Sequence, residues 1–88
     1  MLIFSEEKMA QVIEQIDVTG IATYEVALSN TPLLPSEVAV DPVGGPAQIY
    51  GADFIVTGNM LQWNIVGSDI KRVVDGGYNT ILRIIYEA

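Results

Sequence analysis

The sequence predicts a mainly β protein, a single antiparallel β-sandwich domain over residues 1–88. The strongest observation is the stretch Gly51 to Asn64, in which two alternating segments flank Gly58 and Asn59, a pair typical of a two-residue hairpin turn. Its register predicts two apolar cross-strand pairs on one face, Phe54 with Trp63 and Val56 with Leu61. A hairpin buried on one face needs a second layer, which favours two packed sheets. Turn signals about eight to twelve residues apart indicate about six strands.

The N-terminal part predicts a helix from about Glu6 to Ile16, with Ser5 as its cap. Its apolar residues recur at helical spacing: Met9, Val12, Ile13 and Ile16. Ile16 and Val18 also alternate as in a strand, so the strand remains an alternative. The apolar stripe is expected either to pack on the protein's own sheet or to form a contact between subunits.

The middle of the chain predicts two further strands separated by loops. Thr23 to Leu28 alternates as a half-buried strand, and Ser29 to Pro35 contains two prolines that interrupt any ladder. Ser36 to Val40 is the next expected strand, with Val38 and Val40 inward. The segment Asp41 to Pro46, DPVGGP, is the strongest turn signal in the sequence.

The C-terminal part predicts a short helical turn followed by the last strand. Ser68 can cap the segment Ser68 to Val74, and Gly76 and Gly77 end it. The last strand, Tyr78 to Tyr86, is apolar on both faces because Ile81 and Ile85 lie opposite its main apolar set. Such a strand is expected to be central, or covered by the N-terminal helix or a neighbouring subunit.

Composition argues against several classes of function. The 88 residues contain no Cys and no His, so disulfides, thiolate or imidazole catalysis and structural zinc are not expected. A net charge of −7 disfavours nucleic acid as a partner. No apolar run approaches a membrane span, and MLIFSEEK lacks the features of a secretory signal. The Ser-x-x-Lys spacing of some serine hydrolases occurs twice, beginning at Ser5 and at Ser68, and both serines are interpreted as helix caps. We therefore predict no catalytic, cofactor-binding or metal-binding residues and no cofactor.

A longer pattern of short motifs resembles a known family. An alternating strand ends in Leu-Ser-x-Thr-Pro at Leu28 to Pro32. It is followed by a Pro-x-x-Val strand, then by a Gly-x-Asp-Phe-x-Val-x-Gly-Asn hairpin, and finally by a last strand that begins after Gly and ends in Tyr. The hairpin positions are Gly51, Asp53, Phe54, Val56, Gly58 and Asn59. The run from Tyr24 to Tyr86 resembles a small β-sandwich module of bacteriophage tail-fibre and other virion proteins. It departs from that pattern at DPVGGPAQIY and near Ser68 to Val74.

The resemblance implies a non-enzymatic structural or accessory component of a bacteriophage particle, of the tail-fibre, adaptor or capsid-decoration type. Such a component is made in the host cytoplasm, resides in the virion, and is expected to form a homo-oligomer and to contact other virion proteins. The expected interface comprises the apolar residues that one thin core leaves over: Met9, Val12, Ile13, Ile16, Ile81 and Ile85.

The sequence is also compatible with two other functions. A small acidic regulator that binds a basic host or phage protein would need most of the eleven carboxylates on one face. A carbohydrate-binding receptor module would need exposed aromatic residues beside a groove, and the candidates are Tyr24, Tyr50, Trp63, Tyr78 and Tyr86.

Overall fold

The computed structural model describes residues 10–88, and that part of the chain is mainly β. Its strands are β1 (Gln11–Asp17), β2 (Glu25–Ala27), β3 (Ala39–Pro42), β4 (Ile55–Thr57), β5 (Met60–Gln62) and β6 (Ile81–Glu87). One α-helix, α1 (Asp69–Asp75), and one 3₁₀ turn, Pro35–Glu37, complete the described elements. The strands form two three-stranded antiparallel sheets, with orders β1-β6-β3 and β2-β5-β4.

The β2-β5-β4 sheet contains the predicted hairpin, and its register is confirmed. Ile55 pairs with Gln62, and Thr57 pairs with Met60 across the turn. Gly58 has φ +61° whereas Asn59 does not have a positive φ, which is the combination that a type II′ turn requires. The ladder ends at Ile55, so Phe54 and Trp63 are not a cross-strand pair, although both are fully buried.

The β1-β6-β3 sheet has the last strand at its centre, as the apolar residues on both of its faces predict. On one face of β6, Leu82, Ile84 and Tyr86 are buried. Together with residues from β3, β4, β5 and α1, they form one core cluster. Its members are Val18, Leu28, Val38, Val40, Phe54, Val56, Leu61, Trp63, Ile70, Val74, Leu82, Ile84 and Tyr86.

The predicted N-terminal helix is wrong over the residues that the structure describes, because Gln11–Asp17 is strand β1. Its alternate residues face inward and outward, and each is paired with β6 from Gln11 opposite Glu87 to Asp17 opposite Ile81. β-branched residues favour this extended pairing once a central strand is available as partner. The rest of the predicted helix, from Glu6 to Met9, lies outside the described residues.

Four predicted boundaries also shift. The last strand, expected from Tyr78 to Tyr86, spans Ile81–Glu87. The strand expected from Thr23 begins only at Glu25, because Tyr24 has a positive φ of 60° that breaks the extended backbone. The strand expected from Ser36 begins at Ala39, since Pro35 starts a 3₁₀ turn. The turn predicted from Asp41 is shorter, because β3 continues to Pro42 and Gly45 N then donates to Pro42 O at 2.8 Å.

Helix α1 confirms the predicted helical turn and its cap. Ser68 Oγ accepts a hydrogen bond from Lys71 N at 3.2 Å and donates one to Asp53 O at 2.6 Å. Ile70 and Val74 are the buried residues of the helix, so α1 covers part of the core. The hydroxyl of Ser68 is therefore occupied as a helix cap, which is the interpretation that the sequence favours for its Ser-x-x-Lys spacing.

Candidate self-association surface

The side of the β1-β6-β3 sheet that points away from the core carries exposed aliphatic residues. We call this side the outer face. It is formed by alternate residues of the three strands: Gln11, Ile13, Gln15, Asp17, Ala39, Asp41, Ile81, Arg83, Ile85 and Glu87. Ile13 is 57% exposed and Ile81 is 42% exposed, although both are large apolar side chains in regular strands. Exposed aliphatic side chains grouped on one sheet face are typical of a contact surface.

Cross-strand pairing arranges the outer face in rows. Ile85 lies opposite Ile13 on one side and Ala39 on the other, which gives an aliphatic row across all three strands. In the next row Arg83 lies between Gln15 and Asp41. The aliphatic row is therefore followed by a polar row, in which Arg83 of β6 lies opposite the Asp41 carboxylate of β3.

The structure brings together three of the six residues predicted for the interface. Ile13, Ile81 and Ile85 lie on the outer face, whereas Val12 and Ile16 are half-buried and pack against the core from the other side of β1. This split follows from the strand, since a helix would have placed Ile13 on the same side as Val12 and Ile16. Met9 lies outside the described residues.

Val43 extends the outer face and was missed by the sequence-based prediction. It is 60% exposed, and its N–H donates to Ile81 O at 2.8 Å, so it lies beside Ile81 at the end of β3. The surrounding Gly and Pro residues indicated a turn, which concealed the continuation of pairing beyond Pro42. A large apolar residue next to a turn was the available signal.

On the core side of the same sheet, a hydrogen-bonded group ties a loop to β1 and β6. The hydroxyl of Tyr86, which is almost fully buried, donates to the Glu14 carboxylate and accepts from Asn30 N at 3.2 Å. The same carboxylate accepts from Ser29 N at 3.2 and 3.3 Å. Burial, and then the Glu14 carboxylate, raise the pKa of Tyr86 above its usual range.

Because the fold favours the neutral form of Tyr86, its contribution to stability should be complete below pH about 10 and should be lost as pH rises beyond that value. We expect Tyr86→Phe to cost about 1–2 kcal/mol at pH 7, where its hydrogen bonds are lost, and to reduce the fall in stability at alkaline pH. Urea unfolding from pH 7 to pH about 11 measures both effects.

Tyr24→Phe is the control, because a hydrogen bond with Asp75 raises the pKa of that half-buried tyrosine as well. This variant should retain most of the alkaline loss. Equal alkaline slopes for Tyr86→Phe and the wild type would contradict the role assigned to Tyr86.

A second apolar feature lies where the loop after β2 meets the end of β6. Leu33 and Leu34 are 50% and 61% exposed, and they line an open groove of about 290 Å³ together with Glu37 and Glu87. Leu33 N donates to Glu87 O at 2.9 Å, which fixes this loop against the last strand. The groove adds exposed apolar surface at the end of the same sheet, where the central strand β6 terminates.

The aromatic residues considered for a sugar platform are not gathered on one exposed surface. Trp63 and Tyr86 are buried in the core. Tyr50 packs edge to face against Phe54, with ring centroids 5.4 Å apart. Of the five candidates, Tyr78 is the largely exposed one, at 65%.

The carboxylates within residues 10–88 are spread over both sheets, α1 and the loops between them. They are Glu14, Asp17, Glu25, Glu37, Asp41, Asp53, Asp69, Asp75 and Glu87. Several of these carboxylates have local partners. Asp69 forms an ion pair with Arg72, and this contact lowers the pKa of Asp69. Asp53 accepts hydrogen bonds from Ile49 N at 2.8 Å and from Asp69 N at 3.0 Å. Hydrogen bonds from Thr19 lower the pKa of Asp17.

Within residues 10–88, no group of three or more acidic side chains is placed to hold a metal ion. In the same part of the chain, helix length and apolarity fall short of what crossing a membrane requires. No family model, curated protein or solved structure is found to match the chain. The candidate site is the outer face, an exposed sheet surface on which aliphatic side chains are grouped.

Proposed function

We propose that this protein is a non-enzymatic, self-associating structural component, and that its outer face is the contact surface. The observation that carries the proposal is the set of exposed aliphatic side chains on that face, led by Ile13, Ile81 and Val43. Fully burying one such side chain contributes about 1.5–3 kcal/mol, so a few of them per copy can offset part of the cost of association.

We also infer that the two sheets pack on one another as a β-sandwich. Buried residues of β3 and β6 share one cluster with buried residues of β4 and β5, which supports a face-to-face arrangement. One face of the β1-β6-β3 sheet is then used by the core, and its outer face is left for contacts with other molecules.

The particle to which this component belongs is proposed from the sequence. The motif pattern from Tyr24 to Tyr86 resembles a module of bacteriophage virion proteins, and a tail-fibre, adaptor or capsid-decoration component fits an apolar contact surface on a small β domain. The virion is accordingly the proposed location, with other virion proteins as further partners. The spread of carboxylates over both sheets favours this role over an acidic regulator, which would concentrate them on one face.

The test is the native mass, measured by light scattering at high micromolar concentration. We expect the wild type to exceed the mass of one chain, and Ile81→Asp combined with Ile85→Asp to lower the mass while the far-UV circular dichroism is retained. Four added carboxylates in a contact between two copies would have to be desolvated, which is strongly unfavourable.

Ile49→Asp combined with Val66→Asp is the matched control. These residues are 65% and 99% exposed and lie outside the outer face, so the same change in charge should leave the mass unchanged. A wild-type mass of one chain would overturn the proposal, and so would equal effects of the two double variants.

A further inference from the structure

We propose that two copies join along the edges of β1, in antiparallel orientation, into one six-stranded sheet with Ile13 at the two-fold axis. This inference rests on the proposed self-association and adds to the outer-face contact a second contact, made by the backbone edge of β1. The partner at the β1 edge is a second copy of this chain.

Within residues 10–88, β1 is an edge strand, and half of its backbone N–H and C=O groups have no partner in that part of the chain. Among the residues described here, it is hydrogen-bonded to β6 alone in the sheet order β1-β6-β3. Ala10 and Ala88 exchange both backbone hydrogen bonds, at 3.2 and 3.1 Å, and Val18 N donates to Thr80 O at 2.9 Å. Antiparallel pairing alternates, so the even-numbered residues of β1 bond to β6. The N–H and C=O groups of Gln11, Ile13, Gln15 and Asp17 consequently point to the open edge.

The other edge of the sheet is less accessible. Gln48 N donates to Val40 O at 2.8 Å, so the segment after the β3 turn already uses part of that edge, and Pro42 lacks an N–H. β1 spans seven residues, QVIEQID, and contains no Pro, Gly or Lys, which are the residues that commonly protect an exposed edge. A long edge without such protection is suited to pairing with another strand.

Charge and apolarity select one register for two antiparallel copies of β1. With Ile13 opposite Ile13 of the second copy, Gln11 faces Gln15 and Val12 faces Glu14, so no carboxylates are opposed between Gln11 and Gln15. Centring the pair on Glu14 would place two carboxylates directly opposite each other, which is destabilising. Centring it on Gln15 would place Asp17 opposite Ile13 on the outer face and so interrupt the aliphatic row. The Glu14 carboxylate that faces Val12 in the selected register lies on the core side, where Ser29 N and the Tyr86 hydroxyl already donate to it.

The selected register also joins the aliphatic rows of the two copies. Within one copy the row runs from Ala39 through Ile85 to Ile13. Across the axis Ile13 meets Ile13 of the second copy, so the row continues into Ile85 and Ala39 of that copy. About six backbone hydrogen bonds and one uninterrupted aliphatic row then hold the pair together.

Site-directed cross-linking tests this register, because the chain has no cysteine of its own. In the selected register, the Cα atoms of residue 13 in the two copies lie about 5.5 Å apart, within the range that a disulfide spans. Gln15→Cys is the control on the same face of β1, since its two copies would lie about 14 Å apart. We expect Ile13→Cys to form covalent dimers under mild oxidation at least about tenfold faster than Gln15→Cys. A mixture of Gln11→Cys and Gln15→Cys chains should give the mixed dimer.

The outcomes separate this inference from the proposed function. A wild-type mass of one chain would overturn both. A larger mass, with Ile13→Cys no faster than Gln15→Cys, would overturn the edge pairing and leave self-association standing. The outer faces of two such pairs can also meet, so the wild type should exceed the mass of two chains. The variant with aspartate at positions 81 and 85 should fall to the mass of two chains, because neither the edge hydrogen bonds nor the Ile13 contact at the axis involves these residues. A mass of one chain for that variant would contradict the edge-paired dimer.

Discussion

Replacing Trp63 with alanine should lower the free energy of unfolding by about 3–5 kcal/mol. Trp63 has an exposed fraction of 0% and is the largest of the fully buried side chains, so its removal leaves a cavity that the small core cannot close. Domains of this size have about 5–15 kcal/mol of total stability, and the loss is therefore a large share of it. Urea unfolding followed by far-UV circular dichroism measures the difference.

Two variants separate packing from hydrogen bonding at this position. Within residues 10–88, the buried Nε1 of Trp63 has no hydrogen-bond partner, so Trp63→Phe loses volume but no hydrogen bond and should cost only about 1–2 kcal/mol. Tyr78→Ala removes an aromatic side chain that is 65% exposed and should cost less than about 1 kcal/mol. A loss below about 1 kcal/mol for Trp63→Ala would contradict its place in the core.

The parts of the fold that the sequence predicts correctly depend on signals between near neighbours. The hairpin register follows from Gly58 and Asn59 together with alternation on both sides, and all of these lie within a few residues. Helix α1 follows in the same way, because Ser68 caps it and its two buried residues are spaced by four. Local rules were sufficient for these elements because each needs little information from the rest of the chain.

β1 could not be assigned from local signals, since its partner is the last strand of the chain. Apolar residues at positions 12, 13 and 16 fit one side of a helix, and they also fit a strand that exposes Ile13. The choice depends on β6, which offers a complete ladder from Glu87 to Ile81. The alternation of Ile16 and Val18 was a correct but weaker indication of the strand.

The candidate surface was predicted in part for a related reason. Ile81 and Ile85 were identified from the period-two pattern of the last strand, which holds regardless of what lies beside it. Ile13 was grouped correctly with them, although it was predicted to lie on a helix and lies on a strand. Val43 was not identified, because the Gly and Pro residues around it predicted a turn. The contacts between Glu14 and Tyr86 join residues 72 positions apart, and their individual residue types carry no signal for that pairing.

Replacing Gly58 with valine should cost about 2–3 kcal/mol, because a β-branched residue would have to adopt φ +61° at the first turn position. A Cβ added at Gly58 meets no atom within 4 Å, so the cost comes from backbone strain rather than from a clash.

Thermal unfolding of the Gly58→Val variant tests this cause, and Thr57→Val is the control. Thr57 is an exposed strand residue, and valine is favoured in strands, so this control should change the free energy of unfolding by no more than about 0.5 kcal/mol. Asn59→Gly should cost about 1 kcal/mol, because Asn59 Nδ2 donates to Leu28 O at 3.1 Å and so fastens the turn to the end of β2. If Gly58→Val melted at the wild-type temperature, the type II′ turn would be wrong, and the register that buries Val56 and Leu61 would lose its support.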